Sequence, residues 1–410
     1  MAPSARLAAC HALHYFLQNE NFIEESLGRW KTLHTPKEVD FRLAFEIASG
    51  TVRRKRSLEY GLQGLAKRNS LKLENKKKAL LYTALYQLWF LDRIPAYAVV
   101  AESVDLAKKL FHTSFASFVN AILRKASSQP ITLPATTTPE GLGIHYSYPN
   151  WFVEELLRTL PHENVISILA AQNTPPPLMA TLLQKNDATK DPLPFTNMPL
   201  SDLNTIENPY HSPLLYIQNI TQATLTGKLC QKMDAPKTAL DICAAPGGKA
   251  ILLHAAFPQT TIHANDANAK RMIRLQENLT KFHINALLTT IRGEDYPEER
   301  KYNLVIVDAP CSNSGVLAKC PEARWRLNKQ NIDALQRTQV ALLKKAARLL
   351  HNGGKIWYLT CSILAQENEA IIEQTCNSEN LTITKGPYTQ TPNAEGWEGG
   401  FACELSSRVE

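Results

Sequence analysis

From Arg6 to about Lys125 apolar residues recur at intervals of three and four, as in Leu7, Cys10, Leu13 and Leu17 and again in Leu80, Ala84 and Leu88. That is the period of helices with one face on a core, and prolines are sparse, so the pattern predicts an all-helical domain over residues 1–128. The stretch from Ser127 to Glu140 is rich in Pro, Thr and Ser, a composition that neither packs nor continues a helix, and places a linker at 129–144. A small α+β middle segment, 145–235, opens with a helix over 151–160, passes Pro175-Pro176-Pro177 and holds short strand-like runs.

From Thr238 onward strands alternate with helices, the signature of an open, mostly parallel sheet over residues 236–410. Strands are expected at 239–243, 261–265, 287–291, 304–308 and 355–360. Between the last two, residues 332–350 read as an amphipathic helix with Leu335, Leu342, Leu343, Ala346 and Leu350 on one side, which Gly353-Gly354 is expected to end.

With 410 residues, 44% hydrophobic and 20% charged, the chain has room for more than one core, which excludes a disulfide-stapled scaffold and wholesale disorder. The most apolar stretch, 79–91, is broken by Tyr82, Thr83 and Gln87 and is shorter than the roughly 20 residues that span a bilayer, so no membrane anchor is expected. His11 and His14 interrupt the first apolar run and no cleavage site follows, which reads as a cytoplasmic start. None of the eight cysteines forms a Cys-x-x-Cys pair, and no metal site is expected. The net charge of +7 sits at the N-terminus: residues 1–130 hold 20 Lys/Arg against 11 Asp/Glu, densest at Arg53, Arg54, Lys55 and Arg56. Such a module suits a phosphate backbone, whose neutralisation releases counterions, although a charge run alone reads equally as a solvated helix face.

Three motifs carry chemistry. The first runs from Asp241 through Cys243, Ala244, Ala245, Pro246, Gly247, Gly248 and Lys249, a strand entering a glycine turn and then a helix. Glycines there let a ligand approach the backbone, and ligands of such sheets bind beyond the carboxyl ends of the strands. Asp266 ends the next strand, where a carboxylate can accept from both ribose hydroxyls of a nucleoside, and Glu294 or its neighbour Asp295 adds a third acid. The second motif is Asp308-Ala309-Pro310-Cys311-Ser312, and the third is Thr360-Cys361-Ser362. Two cysteines ending two successive strands share one edge of the sheet with the glycine turn. This suits methylation of a pyrimidine at C5: a thiolate added at C6 makes C5 nucleophilic, and a second thiol can help remove the C5 proton. Asp308 can bind the ring N3 and the exocyclic amine when it shares a proton. Either cysteine fits either role.

These motifs, with Ser314-Gly315, Glu367-Asn368 and the closing stretch 398–405, resemble the RNA cytosine-C5 methyltransferases, and within them the RsmB (Sun/Fmu) type. Leu85-Tyr86-Gln87-Leu88, Arg93-Ile94-Pro95, Ala101-Glu102-Ser103-Val104 and the stretch 118–124 resemble a NusB-type RNA-binding module, so the likeness spans nearly the whole chain. It implies an α/β Rossmann-like methyltransferase domain behind a NusB-like all-α domain and a small α+β segment. It also implies S-adenosylmethionine held by residues 243–249, Asp266, Glu294 and Asp308, and small-subunit ribosomal RNA as partner. Cys361 is then the nucleophile and Cys311 the residue of product release, an order that rests on the resemblance alone.

The chain departs from that family at Ala250, where a small hydroxyl residue is usual, and at Glu294-Asp295, in place of Asp-Gly. Thr181 to Asn186 lacks the Arg-x-Asn strand that touches RNA, leaving Lys185 as its substitute. Arg53, Arg54 and Arg56 are then the expected RNA grip, Arg324 and Trp325 reach the RNA or pack in a core, Trp30, Trp89 and Trp357 are core residues, and a monomer is expected. Two rival readings are the same chemistry on transfer RNA or another RNA, and a non-catalytic assembly factor.

Overall fold

The computed structural model describes residues 4–19, 22–67, 71–183, 196–200 and 212–408. The chain divides into two compact units, one of Met1–Asn173 with Cys320–Arg326, the other of Thr174–Lys319 with Leu327–Glu410. Among the described residues no helix is long and apolar enough to cross a membrane.

The first unit is helical: α1 (Ala5–Asn19), α2 (Ile23–His34), α3 (Glu38–Arg53), α4 (Lys55–Ala66), α5 (Asn75–Phe90), α6 (Ala96–Leu110), α7 (Thr113–Ser128), α8 (Pro139–His145), α9 (Asn150–Thr159) and α10 (His162–Ala171). The residues spaced at three and four are the ones removed from water: Cys10, Leu13, Leu80 and Ala84 join Ile47 and Leu85 in one core. Trp30 is buried and Trp89 packs against the same core.

Residues 145–173, expected in a middle segment, belong instead to this unit, and part of the expected linker forms α8. Hydrogen bonds give the reason. Ser57 Oγ donates to the Ile144 carbonyl at 2.7 Å, and Arg56 donates to the Tyr148 carbonyl at 2.6 Å and to Asn150 Oδ1 at 2.7 Å.

The same bonds engage part of the expected RNA grip. Arg53 is 6% exposed, Arg54 lies 4.9 Å from the centroid of the Phe90 ring, and Arg56 ties α4 to residues 148–150. Of the three, Arg56 is bound by groups from later in the chain, the Tyr148 carbonyl and Asn150 Oδ1. Lys67 and Lys72 of the same basic stretch are exposed, while Arg68 and the expected Lys185 contact lie outside the described residues. Arg56→Ala is therefore expected to lower stability in denaturant unfolding by roughly 1–3 kcal/mol. The salt slope of RNA binding should stay at the wild-type value; a slope reduced by about one would restore Arg56 to the phosphate-binding role.

A segment from much later in the chain, containing the one-turn helix Ala323–Arg326, completes this unit. The Arg324 guanidinium is fully buried and donates to the carbonyls of Arg53 (2.8 Å), Ser147 (3.1 Å) and Gln172 (3.2 Å), to Asn173 Oδ1 (3.0 Å) and to Tyr148 Oη (2.8 Å). Trp325 Nε1 donates to the Val52 carbonyl at 2.9 Å, and Glu322 accepts from the Ile23 amide at 2.9 Å. Of the two readings for Arg324 and Trp325, packing is the one observed.

The second unit begins with an antiparallel sheet of β1 (Met179–Leu182), β2 (Thr196–Pro199) and β3 (Leu215–Ile217) in the order β2-β1-β3, followed by α11 (Ile220–Cys230). Then come β4 (Thr238–Asp241), α12 (Gly248–Ala256), β5 (Thr261–Asn265), α13 (Ala269–Lys281), β6 (Ala286–Thr289) and β7 (Tyr302–Asp308). The chain ends through α14 (Lys329–Arg348), β8 (Leu350–Thr360), α15 (Glu369–Glu379), β9 (Leu381–Gln390) and β10 (Gly400–Ser407). The large sheet has the order β6-β5-β4-β7-β8-β10-β9, with β4 to β8 parallel and β10 antiparallel to both neighbours. Alternate residues face opposite cores: Ala239, Leu304, Ile306, Trp357 and Leu359 pack toward one, Leu240, Val305, Val307, Ile356 and Tyr358 toward the other. This is a Rossmann-like, doubly wound sheet. Its winding reverses between β4 and β7, where a crevice opens beyond the carboxyl ends of the strands.

The glycine pair expected to stop a helix lies inside β8, since α14 has already ended at Arg348. Tyr302 pairs with Leu350 but Leu304 with Lys355, so β8 carries extra residues there, and Gly353 takes them up at φ 75°.

Candidate active site

The first motif ends β4 and starts α12, and Gly247 makes the turn at φ 110°, a backbone conformation that favours glycine. Asn265, buried at the end of β5, uses its whole amide to fix the neighbouring strand ends: it donates to the carbonyls of Ile242 (3.0 Å) and Ile291 (2.9 Å) and accepts from Thr289 Oγ1 (2.9 Å) and the Ile291 amide (3.1 Å). Asp266 follows, 3% exposed, accepting from the amides of Ala245 (3.2 Å) and Asn268 (2.9 Å). Arg271 of α13 stands 3.6 Å from the Asp266 carboxylate and donates to the Ala245 carbonyl, so the β5 acid and the turn after β4 form one rim.

Asp241, which opens the first motif but drew no role from the sequence, and Tyr216, outside every motif, stand beside this turn. Asp241, 1% exposed, has no hydrogen-bond partner at either carboxylate oxygen among the described residues, and burial first, then the charge of Asp308, pushes its carboxyl up to about 8. Tyr216 of β3 lies in ordinary contact range of the space a side chain at Gly248 would enter, and burial, then Asp308, pushes its phenol up to about 12. Of the two acids left open, Glu294 is the one whose charge is felt at Cys243, while the Asp295 side chain is 70% exposed. Gly293 beside them lies tight against Leu342, whose side chain a Cβ there would displace.

Asp308 ends β7, Cys311 follows it, and Cys361 follows β8. Lys249 Nζ lies 2.7 Å from Asp308 Oδ2, and the two cysteine sulfurs are 3.2 Å apart. Among the described residues no cysteine forms a disulfide. The second sulfur pair-mate, the hydrogen bond with Cys311, is the largest cause raising the Cys361 thiol well above its ordinary value; burial and the Asp308 charge add to it and Lys249 opposes it.

What aligns the two cysteine loops is the buried carboxylate of Glu367. It accepts from the Ser312 amide (2.9 Å), the Ser312 hydroxyl, Ser362 Oγ (2.6 Å) and Gln339 Nε2 (3.1 Å). Asn368 adds a second tie, accepting from Thr360 Oγ1 (2.6 Å) and donating to the Ser362 carbonyl (3.0 Å). Gly315 donates to the Cys361 carbonyl at 2.9 Å, and a Cβ on it would stand 2.6 Å from that same oxygen. The loops thus meet residue against residue, with their thiols side by side. The sequence quoted Glu367 and Asn368 as part of a motif but carried no sign of their bonding, which needs the loop after β7 brought alongside that after β8.

The family model described as 16S rRNA methyltransferase RsmB/F matches residues 230–396, and that of the NusB family matches residues 3–128. The ribosomal RNA small subunit methyltransferase B of Erwinia tasmaniensis is 28% identical over 395 residues, covering 90% of this chain and 91% of that protein. Its namesake from Yersinia pestis is 27% identical with the same coverage. The crystal structure of PH0851 superposes with a TM-score of 0.75 at 20% identity over 99% of each chain. A methyltransferase homolog from Pyrococcus horikoshii reaches 0.54 at 20% identity over 65% of this chain and 97% of that one. At such identities the structural likeness speaks for the fold. The matched segments fall on the helical unit and on the large sheet, and the sequence relatives align through both, so the chain is similar over nine-tenths of its length to ribosomal RNA small subunit methyltransferases, with the NusB-family match lying ahead of the RsmB/F methyltransferase match.

Proposed function

We propose that this methyltransferase adds a methyl group from S-adenosylmethionine to C5 of a cytosine in small-subunit (16S) ribosomal RNA, through a covalent bond between Cys361 and C6 of the base. The observation that carries the chemistry is the pair of thiols 3.2 Å apart beside the Lys249–Asp308 ion pair. The ribosomal substrate is supported by the names of the relatives aligned over nine-tenths of the chain. The enzyme acts as a monomer in the cytoplasm.

The residues at the β4–β7 crevice fit the cofactor. Asp266 keeps acceptor capacity for ribose hydroxyls beyond its two amide bonds, the turn of residues 243–249 admits a ligand against its backbone, and Glu294 lies toward the adenosine side. Asp241 is a buried carboxyl in want of a donor, and the cofactor's amino group is one. When bound, S-adenosylmethionine supplies an electrophilic methyl carbon.

The chain's own residues do the rest. Cys361 Sγ, deprotonated, adds to C6 and drives the ring's electron pair toward C5. Asp308 accepts from the exocyclic amine and, sharing the proton of Lys249, holds N3 as charge develops there. Once C5 carries its methyl group, Cys311 as thiolate takes the C5 proton and becomes a thiol, the C5–H electron pair restores the C5–C6 double bond, the C6–S bond breaks, and Cys361 leaves as thiolate. A base inside a duplex cannot reach the thiols, so the target is expected out of its stack.

Transfer of label from tritiated S-adenosylmethionine, offered with unmodified small-subunit ribosomal RNA and with bulk transfer RNA, tests the proposal. Label is expected in ribosomal cytosines. Label confined to transfer RNA would keep the chemistry and overturn the substrate; label in neither would favour the assembly-factor reading.

A further inference from the structure

Asn313 lies between Ser312 and Ser314, in the loop after Cys311. Its φ is 58°, its side chain is exposed, and its Oδ1 accepts a hydrogen bond from Cys361 Sγ at 3.0 Å. Glycine would serve the left-handed backbone with less strain, so the backbone alone does not call for this side chain; asparagine is among the few side-chain-bearing residues that tolerate it and adds a carboxamide. That carboxamide touches the sulfur assigned above as the nucleophile. The other end of the amide, Nδ2, donates to the Cys311 carbonyl at 3.4 Å, a long bond that holds the group only weakly in its present orientation.

We propose that Asn313 is a further catalytic residue, whose side-chain amide accepts from the Cys361 thiol and turns over to donate an N–H to the thiolate when the proton leaves. The asymmetry of the two bonds makes this productive. A thiol is a weak donor, so the bond to Oδ1 stabilises the neutral form little; a thiolate is an anion, and an N–H aimed at it is a charge-assisted bond. The net effect favours the thiolate. Other groups bearing on this sulfur are Cys311 and Asp308, which oppose ionisation, and Lys249, which favours it. Lys249 is already paired with Asp308 at 2.7 Å, which leaves Asn313 as the amide in contact with the sulfur itself, able to donate once it turns over.

The inference rests on Cys361 being the nucleophile, and its test reads the thiol directly. Alkylation of Cys361 by iodoacetamide, followed across pH by peptide mass in full-length protein, is compared for wild type, Asn313→Gly and Asn313→Asp, with thermal unfolding as the check on folding. Asn313→Gly keeps the left-handed backbone and is expected to move the alkylation midpoint to higher pH, slowing the reaction on the order of 10-fold near neutrality. Asn313→Asp, an acceptor with negative charge, should slow it further. A glycine variant whose curve superposes on wild type, or shifts to lower pH, overturns the proposal. Methyl transfer by Cys361→Ala, assayed alongside, separates the two readings: activity retained there removes Cys361 from the nucleophile's role, whatever the alkylation shows.

Discussion

Cys311→Ala is expected to accumulate a denaturant-resistant protein–RNA adduct, with release of product slowed roughly 10²–10⁴-fold, the range for loss of a positioned acid–base group. Cys361→Ala should form no adduct and lose methyl transfer by roughly 10⁴-fold or more. The 3.2 Å between the sulfurs makes the two phenotypes opposite: one thiol bonds to the base, while the other stands where the proton must go. Gel mobility of labelled RNA under denaturing conditions separates them, and an adduct with Cys361→Ala but not with Cys311→Ala would invert the assignment. The pH profile carries a second signature. The bond with Cys311, then burial, raises Cys361, so the neutral thiol persists to higher pH than usual and the thiolate fraction grows as pH rises. Alkylation of Cys361 in wild type should thus still be climbing above pH ~8.5, the ordinary thiol value, and Cys311→Ala should move its midpoint down.

Arg324→Ala is expected to be the most destabilising single change in the helical unit. A fully buried guanidinium with five close acceptors, its carbon 3.8 Å from the Tyr148 ring centroid, has no carboxylate pairing with it among the described residues. Its charge is offset by carbonyl dipoles and an aromatic face, and burial lowers its pKa to about 10. Removing it strands those acceptors away from water and leaves a cavity, a loss of roughly 3–5 kcal/mol for a buried charged network. The melting temperature should fall on the order of 10 °C. Arg324→Lys should not rescue it, because an ammonium cannot match a planar fork that reaches carbonyls on both sides. Melting within about 2 °C of wild type would show that water satisfies the site equally well.

The same residue marks where sequence reading stops. The helices and strands are local properties: spacing of three and four put Cys10, Leu13, Leu80 and Ala84 in a core, and alternation sent Leu304 and Val305 to opposite faces of a sheet. The cofactor turn and both cysteines were legible because this winding of strands brings carboxyl ends to one edge, so a motif after a strand carries its position with it. Cationic side chains offer no such signal. Arg53, Arg54 and Arg56 form a basic run in any window of sequence, and what engages Arg56 are the Tyr148 carbonyl and Asn150, more than 90 residues away. Glycine pairs are ambiguous in the same way: Gly353-Gly354 suits a helix stop or a strand bulge, and the register against β7 decides.

By itself, then, the order of residues determined the helical and sheet regions, the place of the glycine turn and the chemistry that two cysteines at adjacent strand ends can perform, since each follows from periodicity and short-range motifs. Tertiary structure alone decided that residues 320–326 belong to the helical unit, that Arg56 of the basic cluster binds the Tyr148 carbonyl, and that Glu367 and Asn313 meet the cysteine loops. The physical reason is that hydrogen bonds of buried polar groups are made with whatever the fold brings within about 3 Å, and those partners are distant along the chain.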